Sequence, residues 1–467
     1  MSLTRTADIN PDQVMTFVYA PFEVEPGVTS IYVLQEYSLK GNNSLDLGIF
    51  DERGYKVMGS DNGTDGFRGW SGGFRNNFTI SPAGGVTTPS YIGGPISPGT
   101  WNVVLGPYVV LPQGIDWKLT LTFGYNAVED YYQYAYADIF RQLDSGQMGR
   151  RYEDDEYFWL RGDFHMHTIY SDGRYTPEQQ IGNALNRTLD FIFFSEHNTY
   201  SGNAAMGAFQ DIAGNLLIGR AIEVTTRHGH WQALGTEREQ IIEWRYDPGS
   251  QPGYPDAAYQ VHRSGGLVSV NHPYASCSRC DWGFDDWDHN DAIEVWNGAT
   301  EANLNQKAID KWHSLLVSGQ RVTAIGGSDS HHPPSLNGLP TTVVKSRALS
   351  QSEILSAVKK GHTYIVEGPG MEIGFTVSTN RGHTYDMGDK ISQSDARGTF
   401  VHFASQRFDG SRACFMTDRG YFRNETIRSR KDIRFPLPRG GMKFVRVEVR
   451  NSTDGLLGLS NPVYVAS

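Results

Sequence analysis

At 467 residues the chain exceeds what one hydrophobic core holds, and its length suggests about three domains. Lys+Arg 41 against Asp+Glu 52 gives a formal net charge of −11, which disfavours a general nucleic-acid binder, whose footprint would be basic. A small phosphorylated substrate stays open, because bound cations reverse the sign locally. No apolar run approaches the roughly 20 residues of a membrane span, so no membrane partner is expected.

The start, MSLTRTADINPDQ, lacks the basic and apolar regions of a signal peptide and reads as cytoplasmic for the sequence as it stands. A secreted protein trimmed of its leader would look the same. From about residue 12 onward, β-branched and aromatic runs alternate with Gly and Pro: SIYVLQEY (30–37), SLDLGIFDERG (44–54), TWNVVLGPYVV (100–110) and WKLTLTFGY (117–125). This spacing predicts an antiparallel β-sandwich within 1–127. Gly69-Trp70-Ser71-Gly72-Gly73 matches the serine-hydrolase GxSxG pattern, but no helix pattern follows it, so it reads as a chance match. Residues 128–156 form a Tyr- and acid-rich connector, too aromatic for a floppy linker and expected to pack across the domain junction.

From 157 to 366 strand-like runs alternate with helical stretches, the pattern of β/α units. Apolar runs place strands near 161–167, 190–196, 216–223, 229–235, 266–271, 292–297 and 322–328, seven in all, one short of the usual eight-stranded barrel. Helices are expected over 176–187, opened by Thr176-Pro177-Glu178, over 303–318, and over 350–362 behind a Ser350 cap. After 366 the β pattern returns (GTFVHFAS, IRFPLP, KFVRVEVRN, NPVYV) and predicts a second small sandwich over 367–467.

Eleven of the fourteen histidines fall between His165 and His332, mostly at the ends of these apolar runs and beside carboxylates. His165 and His167 share one face of a strand, where alternate residues point the same way. Asp172 follows in a Ser-Asp-Gly turn, His197 closes the second run and Glu223 the third, His230 begins the fourth, and His272 ends the fifth. Asp329 and His331 repeat the i, i+2 spacing after the seventh. A single strand-end histidine is usually a hydrogen-bonded structural residue. Five coincident sites are costly to bury unless cations compensate them, and they predict a multi-metal centre.

In order, these motifs resemble those of the PHP (polymerase and histidinol phosphatase) metal-dependent phosphoesterases. The blocks GDFHMHTIYSDGRYTPEQ, EVTTRHGHWQALG, NHP and GGSDSH resemble the CehA/McbA branch of that superfamily. The resemblance covers about 157–366 and implies a distorted seven-stranded (β/α)7 TIM-like barrel, here flanked by the two sandwiches. It implies two or three divalent ions, with zinc, manganese and iron all suited to mixed imidazole–carboxylate ligation. One ion would take His165, His167, Glu223 and Asp329; a second would share Glu223 and add His230 and His272; a third would take Asp172, His197 and His331. His228 competes with His230, and the family pattern favours His230. The family usually has Asp where this chain has Glu196, which bears on the third ion.

Such a centre implies a hydrolase in which a metal-bridging hydroxide attacks a phosphate ester of a small molecule, with Glu223, Asp329, His197 and His331 at the reacting centre. Arg174, Arg227 and His332 are the cations placed to contact substrate. A carbamate or ester carbonyl could be hydrolysed by the same logic. A third reading is a catalytically silent glycan- or partner-binding protein, motivated by Trp70, Tyr91 and Trp101 as exposed aromatics. The loop Tyr274–Asp288 would shape the pocket, and Cys277 and Cys280 within it are expected to be a plain loop feature or a local disulfide rather than half a zinc site.

Overall fold

The computed structural model of the protein describes residues 2–56, 66–137, 157–392, 395, 398–428, 432–438 and 440–465. Two four-stranded antiparallel sheets form the N-terminal part. One runs Ser2–Ile9, Ile115–Gly124, Ser30–Tyr37, Asn77–Ile80, and the other Val18–Val24, Gly99–Val109, Ser44–Phe50, Phe67–Gly72. Period-two burial along Ile115–Gly124 turns Leu119 and Leu121 inward, where they meet Val33, Leu47, Phe78, Trp101 and Val103 between the sheets. The second sheet is covered on its outer side as well: Phe50, Phe67, Trp70 and Val104 join one core cluster with Trp231, Trp244 and Tyr254. Trp70, Tyr91 and Trp101 are therefore buried, at 5%, 2% and 0% exposure, which corrects their reading as surface platforms.

Only 128–137 of the expected connector is described, and the rest of it lies outside the described residues. Tyr132 N donates to Pro82 O (2.6 Å) and Ala135 N to Ala204 O (2.7 Å), so this segment bridges the N-terminal sheets and the helix–strand region.

Seven strands follow near the expected places, although the first ends at Asp163 so that His165 and His167 lie just past it rather than on it: Phe158–Asp163, Phe191–Phe194, Leu217–Thr226, Gly229–Leu234, Leu267–Val270, Ala292–Asn297 and Thr323–Gly327. They lie side by side in chain order. Alternation with helices is incomplete. The third and fourth strands, and the fourth and fifth, pair antiparallel, whereas the remaining neighbours are parallel. Connection length accounts for the first of these pairs: only Arg227 and His228 separate the third strand from the fourth, too few for the crossover a parallel pair requires. Pro177–Asn186 and Ala302–Ser318 are crossover helices, and Gly319 at φ 102 ends the latter in the left-handed conformation that suits a residue without Cβ. Tyr254–Arg263 is a helix that the sequence pattern did not reveal. Beyond the strand ends, Asp329 N donates to His165 O (2.8 Å) and His167 N to Ser330 O (3.0 Å), joining the tails of the first and seventh strands.

Along Phe158–Gly162 the first strand pairs with Thr341–Ser346, and from there the same sheet continues through Thr363–Val366, Leu456–Ser460, Phe444–Arg450, Arg412–Thr417 and Gly420–Thr426. A four-stranded sheet containing Glu372–Ser378 and Phe400–Gln406 packs on this extension around Phe375, Phe403, Phe415 and Val447. One layer of the expected C-terminal sandwich is thus an extension of the central sheet.

Candidate metal centre

All nine side chains singled out as ligands meet where the first and seventh strands exchange hydrogen bonds. His165 Nε2 lies 3.3 Å from both Glu223 Oε1 and Asp329 Oδ1, and His167 Nε2 lies 3.3 Å from Glu223 Oε2 and 3.2 Å from Asp329 Oδ1. Glu223 Oε1 also faces His230 Nδ1 (3.3 Å) and His272 Nε2 (3.2 Å). Asp172 Oδ1 faces His197 Nε2 (3.4 Å) and His331 Nε2 (3.3 Å). Their donor atoms fall into groups lying within 4.8 Å of one another, among them His165–His167–Asp329, Glu223–His230–His272 and His167–Asp172–His197–His331. His228 is not among them; its Nε2 turns away to Asp247 at 3.0 Å.

The backbone is bent to bring them in. His272 and Asp329 adopt φ 24 and 52, left-handed values that cost a side-chain-bearing residue energy and concentrate at functional sites. Gly327, just before the Asp329 turn, could not carry a side chain, because a Cβ would sit 2.4 Å from His165 Cβ.

Four imidazoles are fixed in one orientation by acceptors behind them. His165 Nδ1 donates to Glu294 Oε1 (2.9 Å), and His331 Nδ1 donates to the Asp329 carbonyl (2.8 Å). His167 Nδ1 donates to Ser171 Oγ (3.2 Å), which passes its own proton to Glu196. His197 Nδ1 faces Thr225 Oγ1 (2.5 Å), a hydroxyl that donates onward to the Glu223 carbonyl (3.3 Å). With Nδ1 engaged in this way, each Nε2 is turned toward the carboxylates, where it donates as an imidazolium or would hold an ion once its proton leaves. Glu196 itself accepts from Thr168 N and Ser171 and so braces the turn that carries Asp172. Glu294 Oε2 also accepts from His272 N and Asn297 Nδ2, and Asn271 Nδ2 donates to Glu223 Oε1 at 2.9 Å. In the sequence, Glu294 and Asn297 end the sixth apolar run facing alternate ways, which marks them only as candidates to support the ligands; Asn271 carries no such mark.

These residues fit divalent ions. Two donor atoms each about 2.1 Å from one ion stand roughly 3.0–3.4 Å apart, the spacing seen here. Among the described residues, His165 Nε2, His167 Nε2, Asp172 Oδ1, His230 Nδ1, His272 Nδ1 and Asp329 Oδ1 are buried without a hydrogen-bond partner, a cost that a cation would remove for all but His272 Nδ1, since His272 turns its Nε2 to the cluster. Burial alone would raise Glu223, Asp329 and Asp172, yet the imidazoles around them hold all three carboxyls well below the usual range. Burial likewise opposes charge on His165 and His197, and the carboxylates override it, raising both well above the ordinary imidazole value. His331, opposed by burial and favoured by Asp329, is raised to about 9. Carboxylates this demanding call for compensating positive charge.

Two connected hollows reach the cluster. One of about 340 Å³ lies over Glu223, His272 and Asp329 and is bounded by Ala275, Ser276, Cys277 and Cys280 of the Tyr274–Asp288 loop. A second, of about 320 Å³, shares Asp172, His197 and His230 with it, and its far wall comes from the N-terminal sheets: Asp46, Trp70, Phe74 and Tyr108. Cys277 and Cys280 form a local disulfide. Ser71 of the GxSxG match bonds Tyr91 Oη (2.8 Å) and the Leu47 carbonyl, inside a strand with no helix behind it. Of the cations named from sequence, Arg174 and His332 are exposed near the rim. Arg227 lines the second hollow but is buried, paired to Asp46 (2.9 Å) and stacked between Phe17 and Tyr108, so its charge is already matched. No described helix is long and apolar enough to cross a membrane.

Neither a protein-family model nor a curated relative matches the chain. Solved structures similar to it include a two-domain protein from Bacteroides vulgatus ATCC 8482 containing a predicted PHP-like metal-dependent phosphoesterase, at 19% identity and TM-score 0.38, over 72% of this chain and 100% of that one. A candidate metal-dependent phosphoesterase from Bifidobacterium adolescentis ATCC 15703 is similar at 16% identity and TM-score 0.28, over 38% of this chain and 90% of that one. An amidohydrolase from Chromobacterium violaceum, with bound sulfate and no metal, is similar at 17% identity and TM-score 0.25, over 37% and 88%.

Proposed function

We propose that this chain is a metal-dependent hydrolase of the PHP kind, CehA/McbA-like in its motifs, that cleaves the phosphate ester of a small molecule. The observation that carries this reading is the convergence of nine imidazole and carboxylate side chains with six buried polar atoms left without partners. In this reading the seven strands act as a distorted barrel within 157–366, flanked by β-domains over 1–127 and 367–467. His165, His167, Glu223 and Asp329 would hold one ion, Glu223 with His230 and His272 a second, and Asp172, His197 and His331 a third. Bound zinc, manganese or iron supplies Lewis-acid charge to a phosphoryl oxygen and lowers the pKa of water.

The chain's own residues do the rest. Glu294 keeps the His165 proton on Nδ1, and the Asp329 carbonyl does so for His331. Asp172, His197 and His331 are the most open of the nine and frame the mouth, while His165, His167 and Glu223 lie at its floor. The aromatic wall of the second hollow excludes water from a substrate body seated there.

Hydrolysis of a neutral ester or carbamate is the second reading, and one observation favours it: the cation lining the second hollow, Arg227, is already neutralised by Asp46. Parallel assays with p-nitrophenyl phosphate, a phosphodiester and an aryl carbamate under Mn²⁺, Zn²⁺ and Fe²⁺ separate the two. Phosphatase turnover lost in His165→Ala and Glu223→Ala is expected. Turnover of the carbamate alone would move the assignment, and turnover indifferent to both substitutions would remove it.

A further inference from the structure

The loop Tyr274–Asp288 closes over the metal centre on two separately anchored limbs. The first leaves the ligand His272: Ala275 N donates to His272 O (2.8 Å), and Ser276 Oγ donates to Glu301 Oε1 (3.0 Å). The second rests on the turn before the ligand His230, where Gly229 N donates to Arg279 O (3.2 Å) and Gly283 N to His228 O (2.9 Å). Gly229 permits that approach, since a Cβ there would stand 2.8 Å from Asp281 O. At the tip between the limbs, Ser278 O accepts from Tyr108 Oη of the N-terminal sheets. The Cys277–Cys280 disulfide ties one limb to the other across this tip.

The position of the bond sets it apart from a structural cross-link. Cys280 is buried and borders both hollows, whereas Cys277 is exposed and borders the one over Glu223, His272 and Asp329. A sequence separation of 3 closes one of the smallest loops a disulfide can, where the entropic gain to the fold is least. Arg279, enclosed between the two half-cystines, holds φ 65, a left-handed value that persists where its surroundings enforce it. An exposed sulfur is open to attack by an external thiolate, and exposed disulfides are the readily exchanged ones. The third cysteine of the chain, Cys414, is buried in the strand Arg412–Thr417 of the C-terminal sheets.

We propose that Cys277–Cys280 is a redox-active disulfide, opened by an external dithiol, whose state sets access to the histidine–carboxylate cluster. The first thiolate of the dithiol attacks Cys277 Sγ, the exposed sulfur; the S–S bond breaks, and Cys280 Sγ departs with the electron pair and takes up a proton. The second thiolate then attacks the reductant's own sulfur in the mixed disulfide and releases Cys277, which is protonated in turn. The dithiol leaves as a disulfide, and the protein has gained the two electrons and two protons that the dithiol lost. With the tie cut, each limb keeps its own anchors, but Cys280 is released from Cys277 and the wall shared by the two hollows loosens. The proposal requires only the cluster and its wall, and does not depend on the hydrolase reading.

Thiol titration and diethyl pyrocarbonate labelling of the full chain, chelated so that no ion shields the histidines, test it. Dithiothreitol is expected to expose two further thiols per chain with the native thermal transition kept, and its oxidised form to remove them again. In the reduced protein, labelling of His230 and His272, read by mass spectrometry against the exposed His383, should be faster by about threefold or more. Cys277→Ser/Cys280→Ser should label at the reduced rate with or without dithiol. Should that variant lose its thermal transition, the two states of the parent chain decide alone. Thiols that appear only on unfolding, failure to reoxidise, equal labelling of the two states, or a dithiol-dependent rate in the folded double variant overturns the proposal.

Discussion

The cluster around Glu223 and the row Arg446–Glu448–Arg450 beneath the C-terminal strands bury comparable charge and resolve it in opposite ways. Glu448 accepts from Arg446 Nη1 (2.8 Å), from Arg450 Nε (2.8 Å) and from Tyr421 Oη (3.0 Å), while Arg450 Nη2 donates to Gln306 and Arg446 Nε to His313 Nδ1 (3.4 Å). No atom of that row is left buried without a partner. Around Glu223 six atoms are. A structural ion network closes on itself, whereas a site built for a ligand leaves its strongest groups incomplete. Burial and charge density alone would not have told the two apart, nor would cavity size: a hollow of about 1120 Å³, larger than the two over the cluster, lies beside Arg446 and Glu448.

The difference can be broken from either side. Removing a ligand should destroy activity and spare the fold. Glu223→Gln is expected to cut kcat by about 10³-fold or more, since it disables charge stabilisation at the reacting centre, while the denaturation midpoint stays near that of the chelated parent. In the row, Arg446→Ala should do the reverse and cost about 1.5–3 kcal/mol of stability by removing one of the two guanidiniums on Glu448, with kcat unchanged, as read by urea titration and assay of the same preparation.

A smaller effect probes the groups behind the ligands. Glu294→Gln keeps the shape but weakens the acceptor for His165 Nδ1, and metal affinity should fall about 10–100-fold as measured by competition with a chromophoric chelator. The pH dependence of stability should differ between wild type and Glu448→Gln. Burial opposes ionisation of Glu448, yet Arg446 and Arg450 hold its carboxyl below the ordinary value of 4.5. Because the folded value is depressed, this carboxylate contributes stability that is fully present above the unfolded value and is lost as pH falls through the folded one. The gap between wild type and variant should therefore shrink below pH 4.5; a gap independent of pH would contradict the closed-network account. Smallest of all, Phe74→Ala should raise KM about threefold to tenfold at constant kcat, because its exposed ring walls the second hollow and is not one of the nine ligands.

Much of this was legible in the chain. The seven strands were readable because each is a short apolar run, and the nine candidate ligands because they sit at the ends of those runs. Direction was not. Nothing in AIEVTTRHGHWQAL announces that the third strand turns straight back as the fourth, since pairing sense depends on a two-residue connection rather than on periodicity. Ser2–Ile9 escaped notice because it is an exposed edge strand with no apolar alternation. Glu294 was visible at the end of an apolar run, but its partner was not, His165 being 129 residues away. The same distance problem concealed the wall that Asp46, Trp70 and Tyr108 lend to the hollow: their sequence marks them only as sandwich residues, and the second sheet's outer face shows its purpose only once packed.

Anomalous diffraction from crystals grown with Mn²⁺ or Zn²⁺, recorded on either side of the metal edge, tests the central claim most directly. The account predicts two or three peaks enclosed by His165, His167, Asp172, His197, Glu223, His230, His272, Asp329 and His331, and none beside Arg446, Glu448 and Arg450. An empty map among those nine side chains at saturating metal would contradict it.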